Sequence, residues 1–477
     1  EQKQEAMNQK IKADLAKVSA LQARDEAENQ RKEALSQKKI AEEQRTKAES
    51  SERNAQRLRI ISIARTLAIQ ASVVYKSDHS ELPALIALQA YNFNKASNGS
   101  PNDPDIYKAL SDVADDKTVL SGHSGEVRSV AVSPDGQWYL SGSNDGSVRL
   151  WSAINRNGPQ PNSTVLKYTK STRKISKSTA STEGRAITSG IFDKAVRSVA
   201  MSTDSKFAAA GYFDGTIRVW NVDNRAAEPM VIPAHTDIVT EIAFLPDGKT
   251  LASVSTDGSL RLWDYRSSDP LQAPQSLALS VKLTSLAVSP DGKWLAFGCE
   301  DGTARMLNLT KLGELPTVFR SGEKTVESVS FSPDGATLAT GGRSGKLQLW
   351  NTRKPDAKPI ELLGHISAIT KVKFSPDGAT LATSSLDKSI RLWNYRKPDE
   401  QPIVLQGGHD KWIYSLVFSP DGTKLITGSA DNSLKIWTTR SDLLASKVCA
   451  IAKRNLTVDE WNKYVGSDIT YEETCKK

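Results

Sequence analysis

The chain has 477 residues, 38% of them hydrophobic and 25% charged, with a formal net charge of +8. That length allows two or three domains and a sizeable core, and the absence of an unbroken run of about 18 apolar residues predicts no membrane-spanning segment. The three cysteines, Cys299, Cys449 and Cys475, form no Cys-x-x-Cys pair, which excludes the usual zinc and thiol-redox motifs. The first residue is Glu, so the sequence reads as a processed or truncated chain whose missing leader says nothing about its parent.

From Ala6 an alanine recurs every seven residues, at Ala13, Ala20, Ala27, Ala34, Ala41, Ala48 and Ala55. Three residues after each of the first seven stand Gln9, Ala16, Ala23, Gln30, Gln37, Gln44 and Ser51. With no Pro or Gly, residues 1–57 are predicted as one helix with a heptad seam, about 85 Å long at 1.5 Å per residue. The seam is small and polar where stable coiled coils place Leu and Ile. A solvated spacer and a weak self-association stalk both fit it, and either is an arm holding the rest of the chain away from something. After Arg57 the composition turns apolar, in RLRIISIARTLAIQASVVY and ELPALIALQAYNF, with Pro83 near a helix start. DPDIYKALSDV follows, with Asp103 as the cap before Pro104. Residues 58–116 are predicted to form a compact helical domain.

The string SPDG then recurs at Ser133, Ser289, Ser332, Ser375 and Ser419, with degenerate copies at Leu245 (LPDG) and Ser202 (STDS). Seventeen residues after each proline position comes Trp151, Trp220, Trp263, Trp350, Trp393 or Trp437, and Leu307 in the fourth unit. The spacing is 43 or 44 residues, except for a first step of 69. Each unit reads as short alternating strands split by turns: EVRSVAVS, PDG, WYLSGS, NDG, SVRLW. Such a four-stranded sheet cannot bury both faces alone, whereas seven arranged radially cover one another. The seven in-register copies resemble the WD-repeat β-propeller family over residues 117–438. The fold class expected is mainly β, a seven-bladed propeller preceded by a long α-helix and a small helical domain.

Four histidines lie 28 residues before a repeat tryptophan, giving His123/Ser141/Asp145/Trp151, His235/Ser253/Asp257/Trp263, His365/Thr383/Asp387/Trp393 and His409/Thr427/Asp431/Trp437. The resemblance implies that each set is a buried hydrogen-bonded tetrad tying loop to strand. The rival reading takes His–Asp as a catalytic base with Ser as nucleophile. Four copies around one ring argue against it, His79 stands alone, and no phosphate loop, carboxylate pair or zinc motif competes. A non-enzyme without cofactor or metal is expected. The second, fourth and fifth units carry Phe192, Leu279 and Gly322 at the histidine position, and the fifth has Ser344 for Asp, so these blades should be softer. Lys117–Leu120 matches the outer strand of the other units and is expected to complete the last blade.

The extra residues of the long step, about 155–185, carry Arg156, Lys167, Lys170, Arg173, Lys174, Lys177 and Arg185 against Glu183. A solvated basic loop is the plainer reading, and an anion-binding arm for nucleic acid or acidic lipid is the alternative. Nucleic acid is the less favoured partner, because only Tyr168 is available for stacking.

The tail, residues 439–477, carries a capping box, Thr457-x-x-Glu460, and Gly466 at a helix stop. It is expected to fold back onto the helical domain, with Cys449 and Cys475 able to pair in an oxidising compartment. The order of AEEQ-type heptads, ARTLAIQA…LIALQAYNFN, WD repeats and VCAIAKRNLTVDEW resembles the C-terminal half of large bacterial proteins. Their front half is a STAND-type NTPase, a caspase-like protease or another effector, sometimes joined through a membrane helix. That resemblance implies a bacterial sensor or scaffold, with cytoplasmic and membrane-anchored extracytoplasmic placement both open and any membrane contact made through a segment before Glu1.

By the propeller pattern, the third and fifth residues after the histidine position and the residue before the tetrad Asp point to the top face. Here these include Arg128, Arg197, Phe213, Ile238, Arg343, Leu386, Trp412 and Tyr414. Exposed aromatic and Arg residues have the composition of interface hot spots. A protein partner on this face is therefore expected, with Trp412 and Tyr414 foremost.

Overall fold

A computed structural model describes residues 2–77, 80–115, 117–153, 163–166, 194–267 and 274–475. It opens with α1, Gln2–Tyr75, a single helix of 74 residues and so about 110 Å. No Pro or Gly interrupts it, and the compositional change after Arg57 is a change in burial within one helix. Almost every residue before that point is exposed, whereas Ala64, Leu67, Ala68 and Ala71 are fully buried. The helix also contains an 18-residue window of mean hydropathy 1.3, long and apolar enough by length and composition to cross a membrane. Interspersed small residues, with two or fewer charges, reach that level without an unbroken apolar run.

The buried end of α1 packs on α2 (Leu82–Ala96) and α3 (Pro104–Ala114). Asp103 fixes their geometry twice over. Its Oδ1 accepts the N–H groups of Asp105 (3.2 Å) and Ile106 (3.3 Å) as the cap of α3, while its Oδ2 takes Arg65 Nε–H of α1 at 2.8 Å. The tail adds α4 (Ser441–Ile451) and α5 (Val458–Tyr464), the latter closed by a reciprocal capping box between Thr457 and Glu460. Trp461 of α5 is buried edge-on to Phe93 of α2, and Asn92 of α2 donates to the Thr474 carbonyl at 2.7 Å. A disulfide joins Cys449 and Cys475 across 5.8 Å between Cα atoms. The apolar core of the helices runs on into blades 6 and 7 through Ile403, Leu405, Leu416 and Phe418. Tyr107 of α3 donates its hydroxyl to the Thr438 carbonyl at the end of the last blade.

Seven four-stranded antiparallel sheets form the rest. In blade order they occupy 127–166, 196–233, 239–278, 283–320, 326–362, 369–405 and 413–438. Each hides its faces against its neighbours: Trp220, Trp263, Trp350 and Trp393 sit in separate inter-blade cores with apolar residues of the preceding sheet. The seventh sheet is completed from the far end of the chain. Lys117–Ser121 pairs with Ser433–Thr438 in the register Lys117↔Trp437 to Ser121↔Ser433. The 155–185 stretch is not one loop, because Ser163–Leu166 is the fourth strand of blade 1, held by Val148↔Leu166 pairing and burial of Leu166. Lys167, Lys170, Arg173, Lys174 and Lys177 lie outside the described residues.

All seven innermost strands carry a β-bulge at their second residue. A bulge re-aims a side chain out of the regular alternation. Here the bulged residues are Arg128, Arg197, Thr240, Thr284, Glu327, Thr370 and Tyr414, and together they line one mouth of the central channel.

Candidate functional site

The tetrad residues are brought together on blades 1, 3, 6 and 7. His123 places Nδ1 3.0 Å from Asp145 and Nε2 2.7 Å from Ser141 Oγ, which accepts Trp151 Nε1–H at 2.8 Å. His235, Asp257, Ser253 and Trp263 repeat this at 3.1, 2.8 and 2.9 Å, and His365, Asp387, Thr383 and Trp393 at 2.8, 2.7 and 2.9 Å. His409, Asp431, Thr427 and Trp437 do so at 2.7, 2.8 and 3.0 Å. The indole can only donate, so the hydroxyl accepts from it and donates onward to Nε2, leaving Nδ1–H for the carboxylate. A neutral imidazole satisfies every atom. Burial pushes His235 down to about 4, which keeps it neutral at pH 7. Burial works to raise the Asp145, Asp387 and Asp431 carboxyls, but hydrogen bonds from the histidine and from Ser147, Ser389 and Ser433 outweigh it and hold them below the ordinary range. Every tetrad hydroxyl is held between two rings, and the histidine side chains are closed to solvent. The arrangement fastens a loop and presents no nucleophile.

Blade 5 reaches the same end with different residues. Glu323, one position beyond Gly322, accepts Ser344 N–H at 3.0 Å and Ser344 Oγ–H at 2.5 Å, bridging the loop that His and Asp bridge elsewhere. Thr340 still accepts the Trp350 indole at 3.0 Å. In blade 4, Asp301 takes Thr303 and pairs with Arg305 at 2.7 Å.

At the channel mouth one cluster stands out. Trp412 is 50% exposed, and its ring meets Tyr414 edge-on at 6.4 Å. The Arg128 guanidinium lies 3.7 Å above the Tyr414 ring, and Tyr414 donates its hydroxyl to Glu126 at 3.2 Å. Glu126 also accepts from Asn144 at 3.0 Å, so blades 7 and 1 are joined through it. Arg197 lines the same mouth, lowered to about 10 by burial and by Arg128 beside it. Arg343 is exposed, 4.0 Å from Glu327. Phe213, Ile238 and Leu386 are partly buried on blades 2, 3 and 6, apart from the Trp412 cluster.

Below the mouth five of the inner strands are stitched to the next blade by the side chain at their third residue. Ser129, Ser198, Ser328 and Ser415 each accept a backbone N–H of the next blade, from Val199, Ile242, Val372 and Val130, at 3.0–3.2 Å. In blade 3 the residue is Glu241, whose Oε2 accepts Leu286 N–H at 2.9 Å. Its other oxygen pairs with Lys371, the corresponding residue of blade 6, so an ion pair spans the channel.

Residues 192–437, just over half of the chain, match the family described as IFT122 first beta-propeller, and residues 115–152 match the WD domain, G-beta repeat. The chain belongs to the WD-repeat β-propellers of the IFT122 type. Several curated WD-repeat proteins are similar to it. Nuclear distribution protein PAC1 of Arthroderma otae is 33% identical over 146 residues, 30% of each chain. Apoptotic protease-activating factor 1 of Danio rerio is 28% identical over 167 residues, 32% of this chain and 13% of that protein. Striatin-4 of Homo sapiens is 27% identical over 186 residues, 35% of this chain and 23% of that protein. The chain spans less than a third of the length of these relatives.

Two features of this propeller escaped sequence reasoning although the repeats carried the signal. The residue after the histidine is Ser124, Thr236 and Asp410 in three units but Ile366 in the sixth, where it is 89% exposed. The third inner-strand residue is serine in five units and Glu241 and Lys371 in the others, opposite charges at equivalent positions.

Proposed function

We propose that this chain is a non-catalytic scaffold or sensor module that binds a protein partner on the propeller face around the channel mouth. The observation that carries the reading is the half-exposed Trp412 beside the Arg128–Tyr414 stack. Large aromatics are expensive to leave in water, and rigid aromatic and Arg groups supply most of the energy at interface centres. Exposed Ile366 on the neighbouring blade extends the apolar surface. The arm α1 keeps this face at a distance from whatever precedes it. By the second resemblance, that is an effector domain of a larger bacterial signalling assembly, and α1 offers a surface for self-association.

A Trp412→Ala, Tyr414→Ala double variant tests this. It should remain folded yet lose its partner, since truncating a hot spot costs about 2 kcal/mol or more, about thirtyfold in affinity. Equal recovery of the same partner by variant and wild type would falsify the top-face assignment. Deleting residues 168–180, beyond the fourth strand of blade 1, should leave recovery intact. Loss of salt-sensitive nucleic-acid retention on that deletion would instead favour the basic segment.

A further inference from the structure

The Glu241–Lys371 pair divides the channel, because both residues, with Ser129, border the mouth on one side and a separate cavity of about 400 Å³ on the other. The fifth residues of the inner strands meet in this lower cavity. Six of them are Ala131, Ala200, Ala243, Ala287, Ser330 and Val417, and the seventh, in blade 6, is Lys373. Among the described lining residues only Glu241, Lys371 and Lys373 are ionisable. Glu241 is already committed, with one oxygen on Lys371 and the other on Leu286 N–H. No hydrogen bond or ion pair among the described residues reaches Lys373 Nζ. The cavity therefore holds one cation more than its anions, beside the small side chains of Ala131, Ala200, Ala243 and Ala287.

Burial, with Lys371 nearby, pulls Lys373 down to about 8, so it is still charged at neutral pH. A partly buried ammonium without a hydrogen-bonded counter-ion is costly, and a bound anion offsets that cost. A fully hydrated inorganic anion would leave the alanine side of the lumen wet. A carboxylate carrying an apolar tail satisfies both the cation and the walls, and the volume lies in the range of small-molecule sites.

We infer that the lumen below the Glu241–Lys371 pair is a binding site for a small monocarboxylate with an unbranched apolar tail, its carboxylate on Lys373 and its tail along the alanine-lined wall. Calorimetric titration of the full chain with octanoate tests this. Saturable binding at one site per chain is expected. Lys373→Met should weaken it by at least about tenfold, and Lys373→Arg should retain most of it. Ala243→Leu keeps the cation but fills the lumen and should also abolish binding, so the question stays decidable even if the Lys373→Met protein does not fold. Octylamine and inorganic phosphate should bind far more weakly than octanoate. No octanoate binding to the wild type, binding that persists in both Lys373→Met and Ala243→Leu, or octylamine or phosphate binding as tightly as octanoate would each overturn the inference.

Discussion

Replacing Lys371 by serine takes away the cation that Glu241 faces across the channel and leaves one carboxylate oxygen without a partner. The two side chains are 17% and 12% exposed, so the pair is neither a surface contact nor fully dry. Breaking a buried pair costs about 3–5 kcal/mol and losing an exposed one about 0–1 kcal/mol. This geometry places the Lys371→Ser cost at about 2–3 kcal/mol. Glu241→Ser should cost at least as much, because Lys371 and Lys373 are then left together without an anion. The double variant is different. Serine at 241 can accept Leu286 N–H as the four serines accept theirs at 3.0–3.2 Å, and no charge remains unpaired between the two positions. Its stability should come within about 1 kcal/mol of wild type, a coupling of about 3–5 kcal/mol between the sites. Urea denaturation followed by far-UV circular dichroism measures all four proteins. Singles that match wild type, or a double variant as unstable as the sum of the singles, would show that the pair does not hold the ring together.

Thr383→Val removes at one stroke the acceptor of Trp393 Nε1–H and the partner of His365 Nε2, both buried, and should cost about 2–4 kcal/mol; a urea midpoint unchanged from wild type would contradict the tetrad's role. His235 has a folded pKa of about 4 against an ordinary 6.5, so the unfolded chain takes up the proton first and stability falls as pH drops from 6.5 to 4. The loss approaches about 3 kcal/mol, and His235→Gln should show a shallower decline over that window; parallel pH profiles would refute the assignment. The Cys449–Cys475 cross-link closes a separation of 26 residues, for which chain entropy gives about 3.5 kcal/mol. Cys449→Ser with Cys475→Ser should therefore lower the unfolding temperature and expose residues 452–475 to protease, and reductant should do the same to wild type but leave the double variant unchanged.

The propeller was readable because a radial repeat forces the same residue types into the same register. Trp151 and its counterparts must fill each inter-blade core, and the SPDG turns must return each strand. The helical arm was readable as helix, yet its extent was not: nothing in Arg57 or its neighbours breaks a helix, and only packing against α2 and α3 separates the bare part from the buried part. Spacing marked the tetrad positions, and the family resemblance implied their role. The substitute in blade 5 could not, because Glu323 lies one position beyond the lost histidine and acts on a serine where the pattern expects an aspartate. The channel charges were hidden for another reason. Glu241 and Lys371 are 130 residues apart, and only ring closure puts the third and sixth blades opposite each other. Tyr414 and Arg128 likewise read as separate surface residues until blades 7 and 1 became neighbours.

The clasp between Lys117–Ser121 and Ser433–Thr438 also sets a clock on biosynthesis. Lys117 leaves the ribosome 320 residues before its partner Trp437, an interval of about 15–60 s at the usual elongation rates. Throughout that time a strand of sequence KTVLS has its hydrogen-bonding edge open and six blades accumulate behind it without a closed ring. The nascent chain is thus most prone to pairing with a neighbour late in its synthesis, and a pause anywhere between Ser121 and the seventh repeat would prolong that exposure.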